Sequence, residues 1–395
     1  MASSGGGGSF ISLFQAFKKE CRRYAKQKRI HVEKEVSSCL PTRGNLCTNQ
    51  ESSTLQPKII NIGPEANAER LTADNFAELL PDVDTFIFGA DGLMWLREGV
   101  IHEASSLINL LIEKKKNIII LTNDTTRTRD EHVNKLVQHR FSSKITKDRI
   151  VTPGLIAAEH IENTCCYAGK KVYVVAAEGV EDELKNRGIE YFGQDIGEPV
   201  TSGRETAVFD TDLGVKREDV CAVIVGFDTK FNFKKMLKAV NYLKNPNCIF
   251  LATNDDATFA VQNSDIVVPD AGLFSMNRNT QNKRSPWQSC WNSGAIVASI
   301  SKGAAREPIV VGKPSQMAYE FIKKKFDIDE ERTMVICSRI SNDVKFGRLH
   351  GMRTLLVLNE AHQMEELDRL RSGGQLDLLP HYYAPSLAEI LPQYV

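Results

Sequence analysis

The rhythm of hydrophobic and polar positions changes near residue 71. From there, short unbroken apolar runs alternate with segments whose apolar residues return every three or four positions. "DTFIF", with Phe86, Ile87 and Phe88, and "NIIIL", with Ile118 to Leu121, read as strands buried on both faces. Between them "EASSLINLLIEKKK" places Ala104, Leu107, Ile108 and Leu111 on one helical face. Its lysines are expected in the last turn, where the helix dipole favours cations. "TRDEHVNKLVQHR" predicts the next helix. The same alternation returns near the C-terminus in "EPIVV", "SQMAYEFIKKKF", "RTMVIC", "SNDVKFGRLHG" and "RTLLVL". Strands of this kind separated by amphipathic helices imply an α/β fold, a doubly wound parallel sheet covered on both faces.

The stretch 166–306 has an alternation of its own. "KKVYVVA" and "EDELKNRG" pair as strand and helix, and "CAVIVGFD", "FNFKKMLKAVNYLKN" and "CIFLATN" make strand, helix and strand. Because the two flanks read as one sheet, the expected organisation is a core domain of 61–165 plus 307–395 with an α/β domain, 166–306, inserted into it. Within the insert, 274–290 is polar and irregular and reads as a mobile loop. Residues 1–60 differ from everything after them. "ASSGGGGS" has linker composition, and "FISLFQAFKKECRRYAKQKRIHV" is a basic stretch with aromatic and apolar residues at helical spacing. It reads as a flexible basic tail. A mitochondrial presequence and a helix that seeks a partner or a membrane surface are the other two readings of the same pattern.

Charge changes the picture by exclusion. Fifty Lys and Arg balance fifty Asp and Glu, so nothing supports a nucleic-acid partner. No apolar run approaches the ~20 residues of a transmembrane helix. The nine cysteines are odd in number and contain no C-x-x-C pair. That argues against a disulfide framework and fits a reducing, cytoplasmic setting.

In open parallel sheets, ligands bind beyond the carboxyl ends of the strands. Four strand ends here carry polar residues: "GADG" (Gly89 to Gly92), "TND" (Thr122 to Asp124), "GKPS" (Gly312 to Ser315) and "SRISND" (Ser338 to Asp343). With "VIVGFD" and "FLATNDDATF" in the middle segment, these motifs resemble the haloacid-dehalogenase-like (HAD) phosphatases. The likeness is to the kind with a large inserted cap that includes phosphoglycolate, pyridoxal-phosphate and 4-nitrophenyl phosphatases, and it covers about residues 75–395. It implies a Rossmann-like core with an α/β cap.

The resemblance also implies roles. The family's first motif, D-x-D-G-x-x-W, supplies an aspartate that attacks phosphorus and ligates magnesium, then a second that acts as acid and base. This chain matches at Asp91, Gly92 and Trp95 but carries Gly89 at the nucleophile position. Asp91 alternatively reads as an ordinary turn aspartate. Thr122, with Asn123 beside it, matches the hydroxyl that holds the phosphoryl group, and Lys313 the lysine that neutralises it. Of the metal-holding acids of G-D-x-x-D-T-D, only Asp343 remains; Ser338 and Ser341 replace the others. Asp343 reads equally as the partner that buries the Lys313 charge. Asp228, Ser293 and Gly294 fall where the family's cap selects substrate, although Trp291 and Asn292 replace its usual Pro-Gly-x-Gly start.

The family pattern would place five carboxylates around one lysine, a charge of −4. Here Asp91 and Asp343 with Lys313 leave −1. The leading expectation is a pseudophosphatase that binds a small phosphorylated metabolite or a partner subunit, as a homodimer or as a heterodimer with an active relative. It needs no cofactor, with Mg2+ expected only if activity is retained. Two alternatives stand beside it: an active phosphomonoester hydrolase of the phosphoglycolate or pyridoxal-phosphate type with a non-standard site, and a structural protein directed by its basic N-terminal segment.

Overall fold

The computed structural model describes residues 68–391, apart from 97–98, 101, 165–168, 195–212, 256–258, 261–266, 269–293 and 359–361. The basic N-terminal segment, the loop 274–290 and Ser293 lie outside the described residues. In chain order the elements begin with β1 (Glu69–Arg70), α1 (Ala73–Leu79), β2 (Thr85–Gly89), a ribbon of β3 (Trp95–Leu96) and β4 (Gly99–Val100), α2 (His102–Glu113), β5 (Asn117–Leu121), α3 (Arg129–Gln138), β6 (Ile150–Val151) and α4 (Pro153–Glu162). The middle contributes β7 (Lys171–Val175), α5 (Glu178–Asn186), β8 (Tyr191–Phe192), β9 (Val220–Val225), α6 (Phe233–Tyr242), β10 (Ile249–Ala252), a ribbon of β11 (Phe259–Ala260) and β12 (Val267–Val268), α7 (Gly294–Ala304) and β13 (Ile309–Val310). The last part holds α8 (Gln316–Phe326), β14 (Thr333–Cys337), α9 (Lys345–Leu349), β15 (Arg353–Val357), α10 (His362–Ser372) and β16 (Tyr382–Ala384).

Two parallel sheets organise these elements. The first has seven strands in the order β1-β16-β15-β14-β2-β5-β6. The unbroken apolar runs explain its double cover. Ile87, Ile119 and Val335 pack into one hydrophobic cluster, while their neighbours Phe86, Phe88, Ile118, Ile120, Met334 and Ile336 pack into another. Successive side chains of a strand point to opposite faces, so both faces here are core. The second sheet has five strands in the order β13-β10-β9-β7-β8, again all parallel.

Three local expectations are corrected. "EPIVV", expected in the flanking sheet, lies elsewhere: Ile309 and Val310 pair with Leu251 and Ala252 at the edge of the second. An apolar run marks a strand without naming its partner, and Ile309, at 46% exposure, shows that this one is an edge. The lysines of "IEKKK" follow α2 instead of closing it: Lys115 takes a left-handed φ of 61°, and Lys116 donates to the Leu80 carbonyl at 2.7 Å. "SNDVKFGRLHG" becomes helical already at Ile340, through a π-helical turn, Ile340–Val344, that leads into α9. π-turns of this sort are frequent at functional sites.

Close backbone contact joins the second sheet to the loop after β5. A Cβ on Gly179, in the first turn of α5, would stand 2.3 Å from the Arg127 carbonyl oxygen and 2.6 Å from that of Thr125. The Gly179 N–H donates to the Thr125 carbonyl at 3.0 Å. Nearby, the Arg129 guanidinium grips both Glu183 carboxylate oxygens, at 2.5 and 3.0 Å, and both side chains are largely buried. A bidentate pair fixes orientation as well as distance. Among the described residues no helix is long and apolar enough to cross a membrane. Cys221, Cys248 and Cys337 are buried thiols that form no disulfide among the described residues.

Two histidines support the first sheet. His350 stacks on Tyr319 with ring centroids 4.4 Å apart, and His381 Nδ1 accepts from the Thr354 N–H at 3.1 Å. Burial pushes each pKa down to about 4; for His381 the charges of Arg348 and Arg353 push the same way. A depressed histidine pKa means that the unfolded chain takes up the proton first. Stability is therefore full above the unfolded value of about 6.5 and falls as pH drops toward the folded value, by up to about 3 kcal/mol per histidine. Urea midpoints are expected to decline from pH 6.5 to pH 4.5, with a shallower decline in His381→Asn.

Candidate active-site centre

β2, β5 and β14 are adjacent in the first sheet, so their carboxyl ends bring Gly89, Thr122 and Ser338 side by side. Gly92, at a φ of 80°, turns the chain after β2 and sets Asp91 at the mouth of the sheet. Lys313 comes from the loop between β13 and α8, a loop closed by the Ser315 cap, whose hydroxyl accepts from the Ala318 N–H. Asp343 comes from the π-turn after β14. Asp91, Thr122, Asn123, Lys313, Ser338 and Asp343 are all buried, whereas Ser341 is exposed.

Most polar groups of this centre are engaged within the protein, although the Asp343 Oδ1 atom meets Lys313 as an ion pair and has no aligned hydrogen-bond donor. Lys313 Nζ lies 2.6 Å from Asp343 Oδ1 and donates to the Leu121 carbonyl at 3.2 Å. Asn123 clamps the lysine's backbone, its Oδ1 accepting from Lys313 N at 2.9 Å and its Nδ2 donating to Lys313 O at 3.1 Å. The Thr122 hydroxyl donates to Asp91 Oδ2 at 2.8 Å and accepts from the Asp124 N–H at 3.0 Å. Ser338 Oγ donates to the Asp91 carbonyl at 3.2 Å. Gly89 faces the Asp343 carboxylate: a Cβ built on it would stand 2.8 Å from Oδ2 and 3.0 Å from Cγ.

Electrostatics adds a residue that the motif comparison passed over. Burial pushes the Asp91 carboxyl up, but Lys313, Arg339 and the Thr122 hydrogen bond together outweigh it and hold the pKa below the usual carboxylate value. Arg339 therefore acts on Asp91 as a second positive charge beside Lys313. It sits inside the "SRISND" motif, where its charge was readable although its direction was not. Gln363, from α10, was not legible at all: its Nε2 donates to the Ser338 carbonyl at 3.0 Å across a long stretch of sequence.

Asp228 lies in a different place, beyond the end of β9. Its Oδ2 accepts from Lys235 Nζ at 2.6 Å and its Oδ1 from the Lys230 N–H at 2.8 Å. The second sheet reverses its strand order between β7 and β9, which opens a crevice at the carboxyl ends. A cavity of about 470 Å³ occupies it, lined by Ala177, Glu178, Asp228, Lys230 and Lys235, with Thr126 reaching in from the loop after β5. Gly294 begins α7 and is buried away from this lining.

The family description "haloacid dehalogenase-like hydrolase" matches residues 86–190, and a HAD-hydrolase-like description matches 310–390. The chain is similar to phosphoglycolate phosphatase 2 of Arabidopsis thaliana, with 31% identity over 323 residues, 81% of this chain and 96% of that one. The chain belongs to the HAD-like phosphatase family. It is also similar to mouse chronophin, with 26% identity over 82% of this chain and 98% of that protein. In fold it resembles a p-nitrophenyl phosphatase from Archaeoglobus fulgidus, with a TM-score of 0.60 at 24% identity over 78% of this chain and 98% of that one. A 4-nitrophenylphosphatase from Thermotoga maritima superposes with a TM-score of 0.59 at 21% identity, over 79% and 97% of the respective chains. The two parallel sheets are this family's core and cap.

HAD phosphatases normally use Mg2+, and the donor set here does not fit it. Magnesium takes near-octahedral oxygen ligands, commonly one or two carboxylates with waters and phosphate. Position 89 offers no side chain and position 338 a neutral hydroxyl, while Asp91 and Asp343 accept from Thr122 and Lys313. Among the described residues no group of three or more His, Cys, Asp or Glu could hold a metal ion.

A buried ion pair that loses one partner leaves an uncompensated charge, at a cost of about 3–5 kcal/mol. Asp343→Ala is expected to destabilise the protein by that amount in urea unfolding. Lys313→Met/Asp343→Leu, which removes both charges, is expected to recover most of the loss.

Proposed function

We propose that this chain is a non-hydrolysing member of the phosphatase family, a pseudophosphatase that acts by binding a small phosphorylated metabolite. The observation that carries the reading is the pairing of Gly89 with Asp343. The position of the attacking group has no side chain, and the space before it is taken by a carboxylate already bound to Lys313. Asp91, held ionised by its neighbours, has no nucleophilic aspartate to serve. Loss of a covalent nucleophile costs on the order of 10⁶ in turnover in a serine protease, so any residual water attack would be slow.

Binding has a separate place to occur. The crevice beyond β7 and β9 sits where doubly wound sheets receive ligands, and Lys230 offers an anionic group a positive charge there, beside the lining carboxylates Glu178 and Glu181. Lys230 is exposed at the rim, while Lys235 is buried against Asp228. The balanced charge and buried thiols suit a cytoplasmic role. An assembly with a second copy or with an active relative extends the same proposal.

The opposing reading, an active phosphomonoester hydrolase, draws on relatives whose names describe phosphatases. Purified protein assayed with phosphoglycolate and 4-nitrophenyl phosphate in magnesium is expected to give no turnover above the blank. Robust metal-dependent turnover sinks the proposal. For binding, a panel of phosphorylated metabolites is expected to include one that raises the thermal midpoint of the wild type, with the rise diminished in Lys230→Ala.

A further inference from the structure

We infer that the centre beyond β2 and β14 is closed to divalent cations, its resident cation being the Lys313 ammonium, and that Gly89 is what makes room for this exchange. The inference rests on the non-hydrolysing reading and deepens it.

The argument starts from volume. An added Cβ at position 89 would meet Asp343 Oδ2 at 2.8 Å, Cγ at 3.0 Å and Oδ1 at 3.2 Å, so the whole carboxylate lies across the glycine. The end of an aspartate side chain could ordinarily swing aside. This one is held 2.6 Å from Lys313 Nζ, and the lysine is held in turn by the Leu121 carbonyl and, through its backbone, by Asn123. Any side chain at 89 must therefore push the carboxylate off the ammonium.

Charge and donors lead to the same conclusion. A dication entering here would have to take Asp343 from Lys313, leaving an ammonium on a residue only 3% exposed beside another positive ion. The Asp91 carbonyl accepts from Ser338 and one oxygen of the Asp91 carboxylate from Thr122, so ligand bonds there would compete with existing hydrogen bonds. With Lys313 paired to Asp343, and Lys313 and Arg339 both acting on Asp91, a divalent ion would meet negative charge that is already opposed. Gly89 and Ser338 are thus two parts of one substitution, in which a metal site has become an internal ion pair.

The test uses the full chain with Mn2+ as the probe, followed by electron paramagnetic resonance, and compares thermal midpoints in MgCl2 and in KCl of equal ionic strength. The expected result is no saturable Mn2+ uptake at the centre up to millimolar concentration, and the same midpoint in both salts. Saturable uptake that disappears in Asp343→Asn overturns the inference. A mutant cycle tests the part played by Gly89. Gly89→Ala is expected to lower the midpoint by several degrees in the wild type and by much less in an Asp343→Ala background. Equal losses in the two backgrounds remove the coupling. A chain that binds Mn2+ through Asp343 yet hydrolyses nothing refutes this inference and leaves the proposed function intact. Turnover in the presence of EDTA does the reverse.

Discussion

The contact between Lys313 and Asp343 is the constraint on which the centre depends. Two opposite charges buried at 2.6 Å satisfy each other only while both stay in place. Lys313 is fixed by Asn123 from β5's loop and by the Leu121 carbonyl, Asp343 by the π-turn after β14, and the Asp343 carboxylate occupies space that a Cβ at residue 89 would contest. Three strand ends and one loop converge on a single ion pair. A site whose lysine and carboxylate are committed to each other is unsuited to a reaction that must admit a metal, a phosphoryl group and a water.

The arrangement also separates two tasks that lie together in a hydrolase. The first sheet keeps the framework of a reaction centre, while the second keeps its own crevice at the reversal of strand order between β7 and β9. The Gly179 contact and the Arg129–Glu183 pair tie the loop of Thr122 to the helix that borders that crevice.

Much of this was legible in the residues. Apolar runs gave the strands of the first sheet because burial on both faces leaves no room for polar residues, and Phe86 to Phe88 show it most plainly. Lys313, Asp91 and Asp343 were found by motif, and the pairing of the last with the lysine was one of two readings that the motif left open. What was missed depends on contacts distant in sequence. The partner of Ile309 could not be read from its own run, because pairing is a property of two strands. Gln363 reaches Ser338 from a helix with no motif, and Arg339 carries a charge whose direction only the fold supplies. The volume relation between Gly89 and Asp343 was equally hidden, because a glycine in a sequence reports a missing side chain without saying what fills the space.

The most direct measurement is a high-resolution crystal structure of the full chain grown in magnesium chloride and phosphate. The account predicts Lys313 Nζ in contact with Asp343 and no octahedral density beside Gly89. An octahedrally coordinated ion on Asp343, with Lys313 displaced from it, would contradict the account.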